Sequence, residues 1–582
     1  MSTQHSVQKR LLLILSLFSI GLVALLGRLF YIQIWARHDM QGHDLVATSV
    51  EQRKETWVID SGRGDILDRN GKSLTGSRIR GVLVMPLWTG DPDRQKLKQL
   101  ADILQTDLQT LQQNLAMIDR PALLRLPDKK GSRKPVELTD SQAASIEKLH
   151  LPGIYPKEVK IRYDENSLAR HLIGFVGLDP QLAESAFGGK YPSNEQIGKM
   201  GLEYLFQNEL RGLGKRKEIS YFIGADKQPI NGLGIQMKEE ENHALSVKTT
   251  LDYNVQKTAE AAMDQYGLTN GSVVVMDAAS EEILAMASRP QFDQDAPLKQ
   301  NEYPVNKALE ADFPGSVFKT VIAAAALEKG IVHADDVFNC PGYIEIGDGR
   351  LNCWTTHGKI TAEQGFAESC NVVFSTLAMK LGRQTIEEYA DKFGLGKPPL
   401  QKIDGKPQVD REDAGQIFAK PETSDRLLAN TGIGQEDVRL SPLQVAHMMA
   451  VVSQGGLSRE PRLLKEWRTS PDNELYKTLP APAKPTQVIK PETARELQRW
   501  MREVVSEPKG TAHLLNSAKM PVAGKTGTAQ TGKENAYHYW FSGYAPADHP
   551  KYVIVVMAKD VETENGSQMV QNVTRQIVDS LP

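Results

Sequence analysis

The chain has 582 residues, is 40% hydrophobic and 24% charged, and carries a formal net charge of -3. That length exceeds one ordinary core, so two or three domains are expected, and the composition is that of ordinary globular protein. The near-neutral charge gives no basis for nucleic-acid binding, and three cysteines (Cys340, Cys353, Cys370), an odd number without metal-ligand spacing, imply neither a disulfide framework nor a zinc site.

The first element spans residues 11–34. Leu11 to Leu26 is almost wholly apolar, and after Gly27-Arg28 the run continues as Leu29-Phe-Tyr-Ile-Gln-Ile-Trp35. About 24 residues at 1.5 Å each suffice to cross a bilayer core of ~30 Å. Arg28 can snorkel to the headgroups, and Tyr31 and Trp35 suit the interface. The run is long for a cleavable signal peptide and no small-x-small cleavage site follows it, so an uncleaved single-pass anchor is expected. Charge alone does not orient it, because Lys9-Arg10 are matched by Arg28 and Arg37. The short tail, residues 1–10, favours an N-in, C-out arrangement.

Beyond the anchor, Trp57 to Leu74 predicts a strand, a turn at Asn70-Gly71 and a second strand. Residues 94–150 read as helical and charged, interrupted by an exposed loop over Pro127 to Pro135. Residues 160–240 are glycine-punctuated, hold no single period and give no sign of a packed catalytic site. No internal repeat stands out. From residue 244 the character changes. Ala244 to Thr250 predicts a strand, Asp252 opens a helix to Tyr266, and Gly271–Asp277 with Glu282–Ser288 predict a hairpin. A long helical middle begins at Ser316. Three more strands follow, over Pro521–Gln530, His538–Ala545 and Lys551–Ala558, then a short helix over Gln568–Leu581. Two strands, a helical block and three strands predict an α+β domain: one five-stranded antiparallel sheet assembled from both ends, flanked by helices.

Ser316-Val-Phe-Lys319 places a hydroxyl and an amine one helical turn apart. The same Ser-x-x-Lys pattern occurs at Ser6–Lys9, Ser145–Lys148 and Ser506–Lys509, so the tetrapeptide alone proves little. Ser316 differs in its setting. Pro314-Gly315 precede it, and Val321-Ile-Ala-Ala-Ala-Ala-Leu-Glu-Lys329 closed by Gly330 reads as a buried helix with a glycine stop. The serine therefore sits at a helix N-terminus, where free N–H groups and the dipole favour developing negative charge.

Two further segments belong with it, Ser369-Cys-Asn371 and Lys525-Thr-Gly-Thr528; Ser-x-Asn and Lys-Thr-Gly each occur once in the chain. A serine hydroxyl needs a base within hydrogen-bond reach. Lys319 can serve if burial and a second cation, for which Lys525 is the candidate, depress its pKa. Ser369 can relay a proton, and Asn371 can hold an amide substrate and anchor Lys319. Lys525 to Thr528 lie on a predicted edge strand, where Gly527 leaves room for a substrate backbone, and Thr526, Thr528 and Lys525 suit a carboxylate. The N–H groups of Ser316 and Thr528 are the natural oxyanion donors. Other polar groups read as bland: His357 as a loop histidine, Asp410-Arg-Glu-Asp413 as a surface run, Cys370 as a small packing residue. No cofactor or metal is required.

On these residues the chain resembles a class B penicillin-binding protein, whose signature is this trio of motifs. The resemblance extends over Gly271–Ser288, His357-Gly358, Gly432-Ile-Gly-Gln435 with Pro442-Leu-Gln444, Gly510-Thr-Ala512 and Trp540-Phe541. In the N-terminal half it includes Arg63-Gly64, Asp68-Arg-Asn-Gly71, Arg162-Tyr163, His171, Gly174, Gly201-Leu-Glu203 and Leu210-Arg-Gly212. It implies a non-catalytic pedestal of the dimerisation type over 35–243 and a transpeptidase domain of penicillin-binding, serine β-lactamase-like fold over 244–582. It also implies a D,D-transpeptidase that crosslinks peptidoglycan stem peptides through a serine acyl-enzyme, is inhibited by β-lactam antibiotics, and works outside the bacterial cell membrane. The implied partners are a SEDS-type glycosyltransferase and other cell-wall or divisome proteins. No glycosyltransferase domain and no C-terminal wall-binding repeats are expected within the chain. It departs from the family at Asp164-Glu-Asn166, at Val317 after the nucleophile, and at Glu436, where glycine is usual.

Three rival readings remain at this stage. A β-lactamase would need a deacylating glutamate, and no Glu-x-x-Leu-Asn segment follows Ser-x-Asn. A non-catalytic β-lactam sensor or scaffold would carry more membrane spans. A D,D-carboxypeptidase or endopeptidase is allowed by the motifs and opposed by the pedestal.

Overall fold

The computed structural model describes residues 2–34, 54–60, 62–86, 93–127, 133–164, 166–192, 195–212, 217–222, 236–239, 244–295, 303–470, 472–533, 535–562 and 565–582. Trp35, Arg37, Glu165 and the centre of the Pro127–Pro135 stretch lie outside the described residues. Two compact units result. One comprises Met1–Asp60, Ile79–Val159 and Arg216–Glu240; the other comprises Ser61–Arg78, Lys160–Lys215 and Glu241–Pro582.

In the first unit, helix α1 (Ser2–Ile34) contains a 23-residue span, Arg10–Ile32, of mean hydropathy 2.3 with none of it buried. By length and composition it can cross a membrane. The rest is small. Strands Ala122–Leu123, Ser77–Val84 and Ile154–Ile161 form one sheet, and helices Arg94–Ile103, Leu108–Ala116 and Asp140–Lys148 enclose a core of Val82, Val84, Leu97, Leu111 and Ile146 with it. Each helix starts on a polar cap whose side chain accepts N–H groups of the first turn: Asp93, Asp107 and Thr139. Lys54–Asp60 pairs antiparallel with Lys217–Phe222, not with the segment that follows it. The stretch predicted as strand, turn and strand therefore divides: Lys54–Asp60 pairs elsewhere, whereas Ile66–Leu67 pairs antiparallel across the Asn70-Gly71 turn, with Leu74 N donating to Ile66 O and Asp68 N to Lys72 O, both at 2.8 Å. The Asn70-Gly71 turn does form, closed by Asp68 Oδ1 accepting from the N–H groups of Asn70 and Lys72.

The second unit is built on an antiparallel sheet of β1 (Gly271–Asp277), β2 (Ile283–Arg289), β3 (Ala523–Gln530), β4 (Tyr537–Ala545) and β5 (Tyr552–Val561), in the order β2-β1-β5-β4-β3. The strands come from both ends of the segment, as the sequence predicts, and β3 is an edge. β1 and β2 are apolar without alternation and buried almost throughout, the mark of a sheet covered on both faces. Helices Tyr253–Gln265 and Gly566–Ser580 pack on the sheet, as does Pro442–Ser453, which is buried at all 12 positions. Helix α2 (Lys319–Glu328) follows the nucleophile turn and is buried from Lys319 to Ala326; Gly330 ends it at φ +66°.

Residues 61–78 and 160–215, N-terminal to the predicted boundary at 243/244, pack within this second unit. At their centre lies a buried charge cluster. Glu203, 0% exposed, accepts from Arg63 Nε at 2.5 Å, from Arg162 Nε, and from Tyr163 Oη at 3.0 Å; Arg63 also donates to Gln207 Oε1 at 2.6 Å. Burial opposes the Glu203 carboxylate, but the two guanidiniums outweigh it and hold its pKa below the ordinary value. Glu203→Gln would leave two buried guanidiniums sharing a neutral amide. It is expected to destabilise the protein by about 3–5 kcal/mol, read as a lowered denaturation midpoint.

Candidate active site

Ser316 lies in a single 3₁₀ turn, Gly315–Phe318, that runs directly into α2. Gly315 has φ +54°, and a Cβ there would come within 2.6 Å of the Thr528 carbonyl oxygen, so only glycine allows the turn to press against β3. The approach to this turn is held from several sides. Trp540 Nε1 donates to Phe313 O at 3.0 Å, Gly315 N donates to Gly434 O at 3.0 Å, and Asp312 exchanges backbone bonds with Leu440. His538 Nδ1 accepts the Asp560 N–H at 3.1 Å, which leaves the proton on Nε2, and Nε2 donates to Asp312 Oδ1 at 2.8 Å. Lys559 Nζ reaches Asp312 Oδ2 at 2.8 Å. Burial would raise the Asp312 carboxyl, but His538 and Lys559 hold it well below the usual carboxylate range.

Four of the predicted residues meet in one hydrogen-bonded group. Lys319 Nζ donates to Ser369 O at 2.8 Å, Ser369 Oγ at 3.2 Å and Asn371 Oδ1 at 2.8 Å. Lys525 Nζ donates to the same Ser369 Oγ at 3.0 Å and to Thr526 O at 3.0 Å. Ser369 thus bridges two amines that are both 0% exposed. Neither lysine has a carboxylate partner among the described residues. Burial pushes Lys319 down to about 8, and burial together with the Lys319 charge pushes Lys525 well below its ordinary value. The Ser-x-Asn segment holds this position because Ser369 takes a left-handed φ of +57° two residues before Asn371 opens helix α3 (Asn371–Lys392). Asn371 Nδ2 donates to Asn352 O at 3.1 Å, and Trp354 Nε1 donates to Glu368 O at 3.0 Å.

Two expectations change. Lys525, which reads in the sequence both as a second cation and as a carboxylate contact, spends its amine on Ser369 Oγ and Thr526 O, which leaves the hydroxyls of Thr526 and Thr528 for a carboxylate. The space beside Gly527 is filled: a Cβ there would lie 2.6 Å from Pro314 O and 3.0 Å from Val317 Cγ2, so the glycine is required by the nucleophile turn rather than by a substrate backbone. Among the described residues the Ser316 hydroxyl has no hydrogen-bond partner, and Lys319 spends its donors on Ser369 and Asn371. The Ser-x-x-Lys copy at Ser145 has other surroundings: Ser145 Oγ donates to Ser141 O at 2.8 Å within its own helix.

Sequence reasoning missed Thr511. Its hydroxyl is 2.6 Å from Thr526 Oγ1, which adds it to the polar row along β3. The signal was present in Gly510-Thr-Ala512, and its meaning became visible only when folding set it beside the strand. The three cysteines also come together, with Cys340, Cys353 and Cys370 around His357. Glu436, at the position where glycine is usual, has φ +62°. A non-glycine residue there costs roughly 1–2 kcal/mol. Glu436→Gly is expected to raise stability by up to ~1 kcal/mol after the extra backbone entropy of glycine is deducted, seen as a small rise in Tm.

Comparison with known proteins gives a consistent picture. The profile of the penicillin binding protein transpeptidase domain matches residues 271–579, and that of the penicillin-binding protein dimerisation domain matches residues 58–230. The chain is similar to stage V sporulation protein D of Bacillus subtilis, 29% identical over 577 residues that cover 95% of this chain and 81% of the relative. It is similar to the probable peptidoglycan D,D-transpeptidase PbpC of Pseudomonas aeruginosa, at 25% identity with 94% and 90% covered. It is likewise similar to the peptidoglycan D,D-transpeptidase MrdA of Escherichia coli K12, at 25% identity with 96% and 91% covered.

Proposed function

The chain belongs to the penicillin-binding protein transpeptidase family, in its class B branch, and from that premise we propose that its peptidoglycan D,D-transpeptidase reaction runs through an acyl-enzyme on Ser316. The observation that carries this reading is the buried Lys319–Ser369–Lys525 group beside the nucleophile turn. A neutral Lys319 accepts the Ser316 proton as Oγ attacks the carbonyl carbon of the penultimate D-Ala. The contact between the two side chains closes when substrate enters, as catalytic hydrogen bonds of free enzymes commonly do. The oxyanion is stabilised by the N–H groups of Ser316 and Thr528, each worth roughly 10²–10³ in rate by analogy with other acyl transfers. Collapse breaks the C–N bond, and the departing amine of the terminal D-Ala takes its proton through Ser369 Oγ, with Lys525 as the second amine on that hydroxyl. An amine of a neighbouring stem peptide then attacks the ester, forming the crosslink and returning the proton to Ser316. Asn371 holds the donor amide. Thr528, with the Thr526–Thr511 pair, receives the donor carboxylate, and the β3 edge offers backbone hydrogen bonds to an extended peptide.

The setting follows the same proposal. Residues 11–34 anchor the chain with residues 1–10 in the cytoplasm and the catalytic unit outside; residues 35–243 act as pedestal and residues 244–582 as transpeptidase. A SEDS-type glycosyltransferase and other cell-wall or divisome proteins supply and place the strands. β-Lactams acylate Ser316 and stay attached, because no deacylating glutamate follows Ser369-x-Asn371.

Incubation with a soluble donor ending in D-Ala-D-Ala and an amine acceptor tests this. The expected product carries the acceptor in place of the terminal D-Ala, and a chromogenic cephalosporin is turned over no faster than once in minutes. Hydrolysis without acceptor incorporation would indicate a carboxypeptidase, and rapid cephalosporin turnover a β-lactamase.

A further inference from the structure

Folding gathers four soft donors from separate elements behind the Ser369–Asn371 segment. Cys340 ends the strand Val337–Cys340, Cys353 follows the strand Gly349–Asn352, His357 precedes the strand Gly358–Thr361, and Cys370 is the residue before α3. One donor atom from each lies within 4.8 Å of all the others. The closer separations are 3.4 Å from Cys340 Sγ to His357 Nδ1, 3.5 Å from Cys353 Sγ to His357 Nδ1, and 4.0 Å from Cys353 Sγ to Cys370 Sγ. A tetrahedral zinc site with Zn–S of about 2.3 Å and Zn–N of about 2.0–2.1 Å has edges of ~3.6 Å between sulfur and nitrogen and ~3.8 Å between sulfurs. The three separations given match those edges to about 0.2 Å, and the remaining ones lie within 4.8 Å. His357 Nε2 is buried and has no hydrogen-bond partner among the described residues, so the ring is set by what Nδ1 faces and by its edge contact with Trp354. The Asn371 N–H donates to Cys353 Sγ at 3.2 Å, the kind of outer contact that supports a ligating thiolate.

We propose that Cys340, Cys353, His357 and Cys370 bind one Zn²⁺ ion and that this ion clamps Ser369 and Asn371 in place. Three thiolates and an imidazole are a donor set for zinc rather than for hard cations. Binding forms three Zn–S bonds and one Zn–N bond and releases the thiol protons to solvent. Four protein ligands leave no open position, so the ion is structural. Its lever is placement: Cys370 sits between the two residues that hold Lys319, and Cys353 holds the Asn371 N–H.

The primary test is the metal content of the full chain purified in detergent without chelator. About one zinc per chain is expected, falling below about a tenth in Cys340→Ser, whose side chain is outside the acylation group. Cobalt substituted into the wild-type protein should give the intense visible bands of a tetrahedral site together with thiolate-to-cobalt charge transfer. This reading needs no variant to fold. Absence of zinc from wild-type protein, a Cys353–Cys370 disulfide in its place, or zinc undiminished in Cys340→Ser would overturn the site. The clamping role rests on the acyl-enzyme reading and has its own readout. Stripping zinc from wild-type protein should slow acylation by a fluorescent penicillin about tenfold or more, with recovery on adding Zn²⁺. Unchanged acylation after zinc removal would overturn the clamp while leaving the metal count standing.

Discussion

Replacing Ser316 with alanine is expected to abolish labelling by a fluorescent penicillin, a loss of at least about 10⁴-fold in acylation rate, as for nucleophile removal in other acyl-transfer enzymes. No second hydroxyl can substitute. Ser369 Oγ is within reach of both amines, but it is buried, and its segment is fixed by the bonds of Asn371 to Lys319 and Asn352. Ser145→Ala, in another Ser-x-x-Lys tetrapeptide on the first unit, should label as the wild type does. Retained labelling in Ser316→Ala would refute the assignment of the nucleophile. The alanine variant should also keep its fold, because the Ser316 hydroxyl makes no hydrogen bond among the described residues.

Lys319→Met should lower acylation by about 10²–10⁴-fold, the usual contribution of a positioned base. Methionine is close to lysine in length and would fill the buried site without a charge, so thermal stability should be retained or raised while the rate falls. The pH dependence carries the more specific signature. Burial lowers Lys319 to about 8, so the amine is mostly protonated below that pH and neutral above it. Acylation should therefore rise close to tenfold per unit through the range below about 8 and level off above it. The sign is opposite to that for a carboxylate acid catalyst, whose activity would fall over the same range. A profile flat between pH 6 and 9 (about two units below and one above the Lys319 midpoint) would exclude Lys319 as the base.

Much of the site was legible in the sequence because its parts are local. Pro314-Gly315 before Ser316 and the apolar run after it announce a loop entering a buried helix, and the structure has that turn and helix. The pattern of two strands, helices and three strands likewise fixes an antiparallel sheet with β3 at an edge. What the sequence hid depends on contacts between distant segments. Gly527 looked like a vacancy for substrate, whereas its missing Cβ is taken up by Pro314 O. Lys525 reads in the sequence both as the second cation near Lys319 and as a carboxylate contact, and strand pairing turns its amine inward to Ser369. Trp57–Leu74 had two strands' worth of local signal, yet its first strand pairs with Lys217–Phe222, a choice no local pattern encodes. The cysteines are separated in sequence by a hairpin and a helix start, so their spacing resembles no familiar metal motif although their sulfurs converge. Arg63, Arg162 and Glu203 were visible as family residues, but not as one buried ion cluster within the second unit.

The central claim, that Ser316 is the acyl carrier, is tested most directly by digesting the β-lactam-treated wild-type protein and locating the adduct by tandem mass spectrometry. The account predicts a single penicilloyl group on the peptide carrying Ser316, at the Ser316 side chain. An adduct on Ser369, on a lysine or on one of the cysteines, with Ser316 unmodified, would contradict it.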